Sequence, residues 1–446
     1  MVPKGRYLDA DFLALEYEHL FPNVWQMACR EEELAQAGSY YDYTIGRQSI
    51  LVVRQGDGSI RAMHNSCPHR GMKIIGGAGR VDEFRCRFHG WRYAIDGVNT
   101  FQYMEEEFTE RPTECNNLRS VHVDTWGGWV FVHMGDDPEP LLEWLDPIPT
   151  LLAPFNLEGM RYAWRKSTIV PSNWKTLVDA FIEGWHSTGT HPQMLRLDEG
   201  DPPSARPATV DEFAFGAWTP TLMYRNHSRF IYTQRPFTGK VDPVRAERVG
   251  RPEYHAALIA YEKNHIGSMA TERDVRAAES LIGSDFEGPM FLAYLAACKR
   301  LAHDEGVEGY PDMSAEEYSA GNGDWHVTPT MVFLAEQSCL LGYRMRPNGD
   351  DPDSCIWDVW SLEHFRSDEI PETKWESYPT WRDHDWGQLI TQDLKNLGDI
   401  QQGMHSIGFT GLWLNQKQEG SIINHHRIAD RFLFGVDHGE PPPFEP

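Results

Sequence analysis

The sequence predicts an α+β protein in two parts: a small all-β unit, then a larger unit whose antiparallel strands stand apart from its helices. Three observations lead there. Between Ser39 and about Leu141, short alternating or apolar runs are separated by turns bearing Gly and Pro, the pattern of paired strands. Beyond Arg161, strand-like and helical stretches are grouped rather than alternating, which points away from a doubly wound parallel sheet. The chain has 446 residues and is 41% hydrophobic, long enough for two cores and too rich in core formers for disorder.

The elements follow in order. Phe12, Leu15, His19 and Leu20 fall at helical spacing, and REEELAQAG reads as a second short helix that stops at Gly38. YYDYTI, SILVVRQ, IRAMHN, FRCRF and WGGWVFVHM read as strands, and turns such as GDGS and PHRG divide them. A Pro-rich hinge, DPIPTLLAP, closes the β unit. The strand YAWRKSTIV then leads through Asn173-Trp-Lys into a helix from Trp174 to about Thr190. FAFGAWTPTLMYRN and FIYTQRP read as strands, and a charged helical insertion runs from about 244 to 320. PTMVFLAEQ, SCLLGYRMRP and CIWDVWSLEHF are long strands, and helices follow around Gln388–Met404 and Ile422–Phe432. The expected divisions are 1–38, 39–150 and 151–446, with no internal repeat.

The charge balance is 41 basic against 66 acidic side chains, a formal net charge of −25. That excludes the basic footprint of a nucleic-acid binder and disfavours an anionic membrane surface. The opening MVPKGRYLDADF carries no apolar core of signal-peptide length, and Trp126–Met134 reaches about half of a membrane span. Seven scattered cysteines do not suggest a disulfide framework. The expectation is a soluble cytoplasmic protein whose thiols are reduced or bind metal.

The most specific motif is Cys67-Pro-His69 and, after sixteen intervening residues, Cys86-Arg-Phe-His89. Thiolate and imidazole are metal ligands, and each pair can be presented from one tight loop. Structural zinc also uses two Cys and two His, but a one-residue Cys-x-His gap is awkward for it. The stretches RAMHNSCPHRG (61–71) and CRFHGWRY (86–93) resemble the Rieske domain of ring-hydroxylating oxygenase α subunits, and Leu20-Phe, Trp25, Glu33-Leu and Gly38 resemble that family's N-terminus. In a Rieske [2Fe–2S] centre two Cys hold one iron and two His the other. The resemblance implies that Cys67, His69, Cys86 and His89 bind such a cluster. A Rieske ferredoxin would end near residue 110, whereas this chain continues for over three hundred more.

The second motif is NWKTLVDAFIEGWHSTGTH, 173–191. Glu183 and His186, three apart, would share one helix face. His191 lies about 140° further round an ideal helix, but Pro192 pushes the residue before it out of the helical region, so His191 can swing back. Two His plus a carboxylate make the facial triad of non-haem Fe(II) oxygenases. On the residues alone, a pair of helix-end His capping carbonyls stays equally open. The same family's N-W-K…E-x-x-H-x-x-x-x-H pattern favours the metal. It implies that His186 and His191 bind mononuclear iron with a late carboxylate, for which Asp393 matches the family position and Asp399 is the rival. Glu183, by resemblance, bridges to a Rieske histidine of a neighbouring subunit for electron transfer. The family often has Glu-Asn where this chain has Asp179-Ala180, which changes the hydrogen bonding around the site. A local run of Arg61, Arg70, Lys73, Arg80, Arg85 and Arg87 against Asp82 and Glu83 suits steering of an acidic electron donor or is simply a set of solvated turn residues.

The resemblance implies a domain order of N-terminal helices packing on the catalytic domain (1–38), a Rieske domain (39–150) and a helix-grip catalytic domain (151–446). The insertion 244–320 is expected over the substrate pocket or at a subunit contact. The implied activity is that of a terminal oxygenase, mono- or dioxygenase, that hydroxylates an organic, aromatic or cyclic substrate with O2 and NAD(P)H-derived electrons. Demethylation, or oxidation of a non-aromatic substrate, is the alternative within that class. No nicotinamide fingerprint appears, so a separate reductase, with or without a ferredoxin, is the implied partner. The implied assembly is a homotrimer, α3 or α3β3 with a small subunit. Two readings of other classes compete: a Rieske electron carrier with a ligand-binding domain, and a scaffold built on structural zinc.

Overall fold

The computed structural model describes residues 1–108, 113–197, 203–209, 217–231, 233–236, 247 and 250–441. The expected strand FAFGAWTPTLMYRN therefore lies partly outside the described residues, as do one position of FIYTQRP and the start of the insertion. The chain forms two compact units, Leu15–Trp144, and Met1–Ala14 together with Leu145–Pro446.

In Leu15–Trp144, one sheet runs in the order Gln26–Arg30, Trp129–His133, Ser120–Trp126, Ile60–His64, Gln48–Arg54, Ser39–Ile45, Ala78–Arg80, and a smaller one joins Glu83–Arg85, Arg92–Ala94 and Asn99–Phe101. The pairings are antiparallel, as alternating strands with tight turns dictate. Phe84 and Tyr93 from the small sheet join Leu51, Val53 and Met63 from the large one in a single core that also contains Cys67 and Cys86.

The N-terminal arm is divided. Residues 1–14 belong with the C-terminal unit and 15–38 with the β unit. The physical reason is Gln26–Arg30, five consecutive buried residues that pair with Trp129–His133 as a strand. REEELAQAG shortens to one 3-10 turn, Glu31–Leu34, whose Glu33 accepts from the Arg30 N–H. FRCRF is a strand only to Arg85, because the chain turns at Cys86.

The larger unit is built on a sheet ordered Thr221–Met223, His227–Phe230, Asp324–Val327, Met331–Ala335, Cys339–Asn348, Asp351–Glu363, Arg161–Val170, Trp375–Tyr378. Its pairs are antiparallel except the last, where Arg161–Val170 and Trp375–Tyr378 run parallel. The helix Trp174–Phe181 lies on this sheet, with Phe181 stacked against Tyr343 and Trp357 at 4.6 and 5.9 Å between ring centres. Gly342 is required one position earlier: a Cβ there would lie 2.4 Å from the Trp360 indole nitrogen. Helices Gln388–Met404 and Gly420–Phe434 complete the cover, while Pro252–His265, Glu272–Glu279, Met290–Asp304 and Ala315–Gly321 form the helical insertion. Among the described residues, no helix is long and apolar enough to cross a membrane.

The helix after Asn173 is shorter than its sequence suggests. It ends at Phe181, and a separate turn of helix, Ser187–Thr190, begins after His186. Gly184 sits in the break, where a Cβ would meet the Thr219 side chain at 2.8 Å, so the chain must leave the helical path to pack there.

Candidate metal centres

In the β unit, Cys67 and Cys86 open two turns with identical hydrogen bonding. The Cys67 N–H donates to the Met72 carbonyl and the Gly71 N–H returns to Cys67; the Cys86 N–H donates to Trp91 and the Gly90 N–H returns to Cys86. Both closing glycines have positive φ, +74° and +75°, which L side chains rarely adopt. The turns thus aim two thiols into the core, each residue 2% exposed, and two imidazoles outward, with ring centres 4.5 Å apart. Trp91 stacks on His69 at 5.1 Å, and the Tyr93 hydroxyl lies 3.0 Å from the Cys67 sulfur. Burial pushes the Cys67 thiol up; Tyr93 and the backbone at His69 pull it down, while the neighbouring Cys86 raises it. Two buried thiols beside two imidazoles form a donor set whose deprotonated form demands a cation. The basic run nearby is partly spent in pairs: Lys73 with Asp42 at 2.7 Å, Arg80 with Asp82 at 3.2 Å.

In the larger unit, His186, His191 and Asp393 each offer one donor atom, and the three lie within 4.8 Å of one another. His191 takes φ −119°, ψ 54°, outside the helical region as its following proline requires. Asp393 lies on Gln388–Met404, 5% exposed, whereas Asp399 on the same helix is exposed. Glu183 and His186 meet, but by a turn rather than a helix face. One Glu183 oxygen is 2.7 Å from His186 Nδ1, and the other accepts from the N–H groups of Trp185 and His186.

Two hydrogen-bond systems hold this arrangement. Gln401 on the Asp393 helix accepts from the Asn173 N–H at 3.0 Å and the Thr176 hydroxyl at 3.1 Å. Asn173 is itself the N-cap that accepts from Lys175. Gln401 thereby ties the helix bearing Asp393 to the one leading to His186. Gln392 accepts from His191 Nδ1 at 2.9 Å and from Gln193 Nε2 at 2.7 Å; Gln193 also donates to the Tyr261 hydroxyl. Tyr261 belongs to the insertion helix Pro252–His265, so the insertion is linked to His191 through Gln193 and Gln392. Neither Gln392 nor Gln193 stood out in the sequence, since a lone Gln has no pattern. Their adjacency to Asp393 and Pro192 was the available signal.

With its Nδ1 proton given to Gln392, His191 turns a bare Nε2 lone pair toward Asp393 Oδ1, 3.0 Å away. That Nε2 is buried and has no hydrogen-bond partner. Two acceptors facing each other in a buried space are repulsive unless a proton or a metal ion lies between them, and with His186 as a third donor the residues fit a metal ion. Burial alone would lower the His186 pKa, but the charge and hydrogen bond of Glu183, with Asp393 and Asp324, raise it to about 9; the pocket is strongly cation-seeking. Asp179, fully enclosed, is raised to about 7 by burial, against a hydrogen bond from Tyr7 and the charge of Lys175.

A β unit with twin Cys-His turns, followed by an antiparallel sheet gripping a helix that leads to two His opposite an Asp, is the domain pair of a Rieske ring-hydroxylating alpha subunit. Residues 24–104 match the Rieske [2Fe–2S] domain family, and residues 157–434 match the catalytic domain of ring-hydroxylating alpha subunits. The chain belongs to the latter family. It is 32% identical over 217 residues to the glycine betaine monooxygenase oxygenase subunit of Chromohalobacter salexigens, covering 47% of this chain and 48% of that protein. It is 29% identical over 194 residues to the carnitine monooxygenase oxygenase subunit of Escherichia coli K12, covering 43% and 52%. The chain thus spans about half the length of these curated relatives. Its fold matches that of a naphthalene 1,2-dioxygenase variant bound to phenanthrene, with TM-score 0.64, 16% identity and coverage of 97% and 92%.

Proposed function

We propose that this chain is the terminal oxygenase component of a monooxygenase acting on a small, trimethylammonium-bearing substrate. Cys67, His69, Cys86 and His89 hold the [2Fe–2S] cluster in the β domain, and His186, His191 and Asp393 hold Fe(II) in the catalytic domain. The cluster supplies stored electrons and the mononuclear iron supplies O2 activation, with reducing equivalents drawn from NAD(P)H through a separate reductase. Gln392 fixes the His191 tautomer, and Glu183 holds the Nδ1 proton of His186 and carries the electron-transfer contact to a neighbouring subunit in a trimer. The observation that carries the metal assignment is the buried Nε2 of His191 facing Asp393 at 3.0 Å, with no hydrogen-bond partner and with His186 completing three donor atoms within 4.8 Å of one another, a geometry that a metal ion satisfies.

The substrate class rests on the ammonium-oxidising relatives. Monooxygenation beside nitrogen converts a C–H bond to C–OH, with the second oxygen atom leaving as water; the resulting carbinolamine releases an aldehyde and an amine. The test is turnover of the purified protein with a reductase under labelled O2, on glycine betaine, carnitine, choline and a panel of arenes. An aldehyde and an amine formed in equal amounts from an ammonium compound, with one labelled oxygen retained when the aldehyde is reduced to its alcohol as it forms, support the reading. A cis-diol carrying two labelled atoms from an arene, with no ammonium turnover, replaces it with aromatic dioxygenation.

A further inference from the structure

We propose that Asp324 is the counter-charge for the substrate's cationic head, a carboxylate that receives an ammonium group beside the His186–His191–Asp393 site. This deepens the preceding reading and rests on it for the substrate class. Asp324 opens the strand Asp324–Val327 and is 4% exposed. Its Oδ1 is buried with no hydrogen-bond partner, and the side chain forms no hydrogen bond or ion pair among the described residues.

Position in the sheet aims it at the site. Asp324 and His326 lie on the same face, because strand residues alternate. His326 packs on His425 at 5.0 Å between ring centres, and His425 packs on Trp174 at 5.4 Å. That face is therefore the one covered by Gly420–Phe434 and by Trp174–Phe181, the helix that runs into the Glu183–His186 turn. The lateral register agrees: Thr221, Phe230 and Asp324 stand in one row across three strands, and Thr219, two residues before that row, packs against Gly184 in the turn. Asp324 and His186 each feel the other's charge.

Apart from Asp393 at the proposed metal site, every other buried carboxylate of this unit has at least one side-chain partner among the described residues, although one Asp179 oxygen is also without a hydrogen bond. Asp358 is held by Arg344 and Arg346, Asp274 by Thr271 and Ser338, Asp179 by Tyr7, and Glu183 by His186. A structural acid is satisfied in this way; an acid left bare against the reaction site is one that a ligand satisfies. A trimethylammonium group suits it, since such a cation has no N–H to donate and needs only an opposed charge. Burial pushes the Asp324 carboxyl well above its usual range, and positive charge at His186 opposes this; a bound cation does the same.

The experiment is equilibrium binding by calorimetry on the holoprotein. The probes are glycine betaine, carnitine, choline, and the tert-butylacetate anion, in which carbon replaces the nitrogen of glycine betaine. Wild type is expected to bind at least one ammonium probe, and to prefer glycine betaine to its carbon counterpart. Asp324→Asn should weaken cation binding about tenfold or more, as loss of a desolvated charge pair does, and leave tert-butylacetate within about twofold. Asp324→Glu should recover part of the cation affinity. An unchanged visible cluster spectrum and melting temperature certify the variants. Equal loss for cation and carbon probe, or no loss, overturns the assignment and leaves the ammonium substrate class standing. Equal wild-type affinity for glycine betaine and its carbon counterpart overturns it without any variant. Wild-type failure to bind every ammonium probe overturns both this inference and the substrate class.

Discussion

Gln392 lies 2.9 Å from the Nδ1 of His191 and is the residue directly before Asp393, so one helix supplies both a proposed metal ligand and the group that orients another. The Gln392 carbonyl fixes the His191 proton on Nδ1 and leaves Nε2 free to bind metal. Gln392→Leu removes that acceptor at nearly constant volume. Iron affinity, measured by chelator competition, should fall about 10- to 100-fold, the usual cost of losing an outer partner of a metal-bound His. Gln392→Glu, which keeps the acceptor, should retain most of it. Equal affinity in the Leu variant would mean that His191 is oriented by packing alone.

Loss of the mononuclear iron should be separable from loss of the cluster. His186→Ala, His191→Ala and Asp393→Ala should each leave the Rieske visible and EPR spectra intact, lower iron to about two per chain, and stop oxygenation, because an open three-donor site cannot spare one. Asp399→Ala should change none of these, since Asp399 is exposed on the same helix. Iron analysis beside EPR decides it, and iron loss confined to Asp399→Ala would reassign the third ligand.

Much of this site was legible because its chemistry is written in short spacings. The two Cys-His pairs stand out by their spacing, whereas the His186–His191 pair needed the family pattern to favour a metal over helix-end capping; Pro192 foretold the non-helical backbone at His191. Choosing Asp393 over Asp399 needed the family pattern; burial separates them in the structure. Other features were not readable. The helix after Asn173 stops at Phe181 because Gly184 must pack on Thr219, a tertiary contact that overrides local helical pattern. Gln26–Arg30 looked like part of a helical arm and is a strand, since its pairing partner lies about a hundred residues away at Trp129–His133. Asp324 was invisible among 66 acidic side chains, because what distinguishes it is the absence of a partner.

Cluster binding should depend on the four residues of the twin turns. Cys67→Ser or Cys86→Ser should abolish the red-brown colour, since each would remove one of the two thiolate ligands that would hold one iron of the cluster. His69→Ala and His89→Ala should also remove the Rieske EPR signal. Cys115→Ser, at an exposed thiol, serves as the control and should retain it. A normal signal in either Cys67→Ser or Cys86→Ser would dismiss the assignment.

Asp179 should make stability depend on pH. Its folded pKa, about 7, is raised above the usual 3.8 by burial, with Glu183 adding repulsion against the Tyr7 hydrogen bond and Lys175. A raised carboxyl contributes stability that is fully present below pH 3.8 and is lost as pH rises through about 7. The full swing is on the order of 4 kcal/mol at about 1.4 kcal/mol per pH unit. Asp179→Asn keeps the shape without ionising. Melting curves should therefore show wild type losing stability relative to Asp179→Asn between about pH 4 and 7, and running parallel to it above that. Parallel curves across that window would show that Asp179 stays in one protonation state.

Glu183 tests the proposed architecture as well as the chemistry. One of its oxygens is engaged by His186 Nδ1, and the other by two backbone N–H groups. Glu183→Gln preserves size but offers only one acceptor, so its NH2 group must face a donor on one side. The charge that would favour a bond to a cluster histidine of the next subunit is also gone. Both metals should remain, and electron arrival should slow by about tenfold or more, equivalent to roughly 1.4 kcal/mol in the barrier. Pre-reduced protein mixed with substrate and O2 should show a normal cluster spectrum that then bleaches slowly. A mixed assembly of Cys67→Ser and His186→Ala chains should regain partial activity, since each subunit supplies the centre that its neighbour lacks. Unchanged single-turnover rates in Glu183→Gln, or full activity from a monomer, would remove the inter-subunit route and leave electron transfer within one chain.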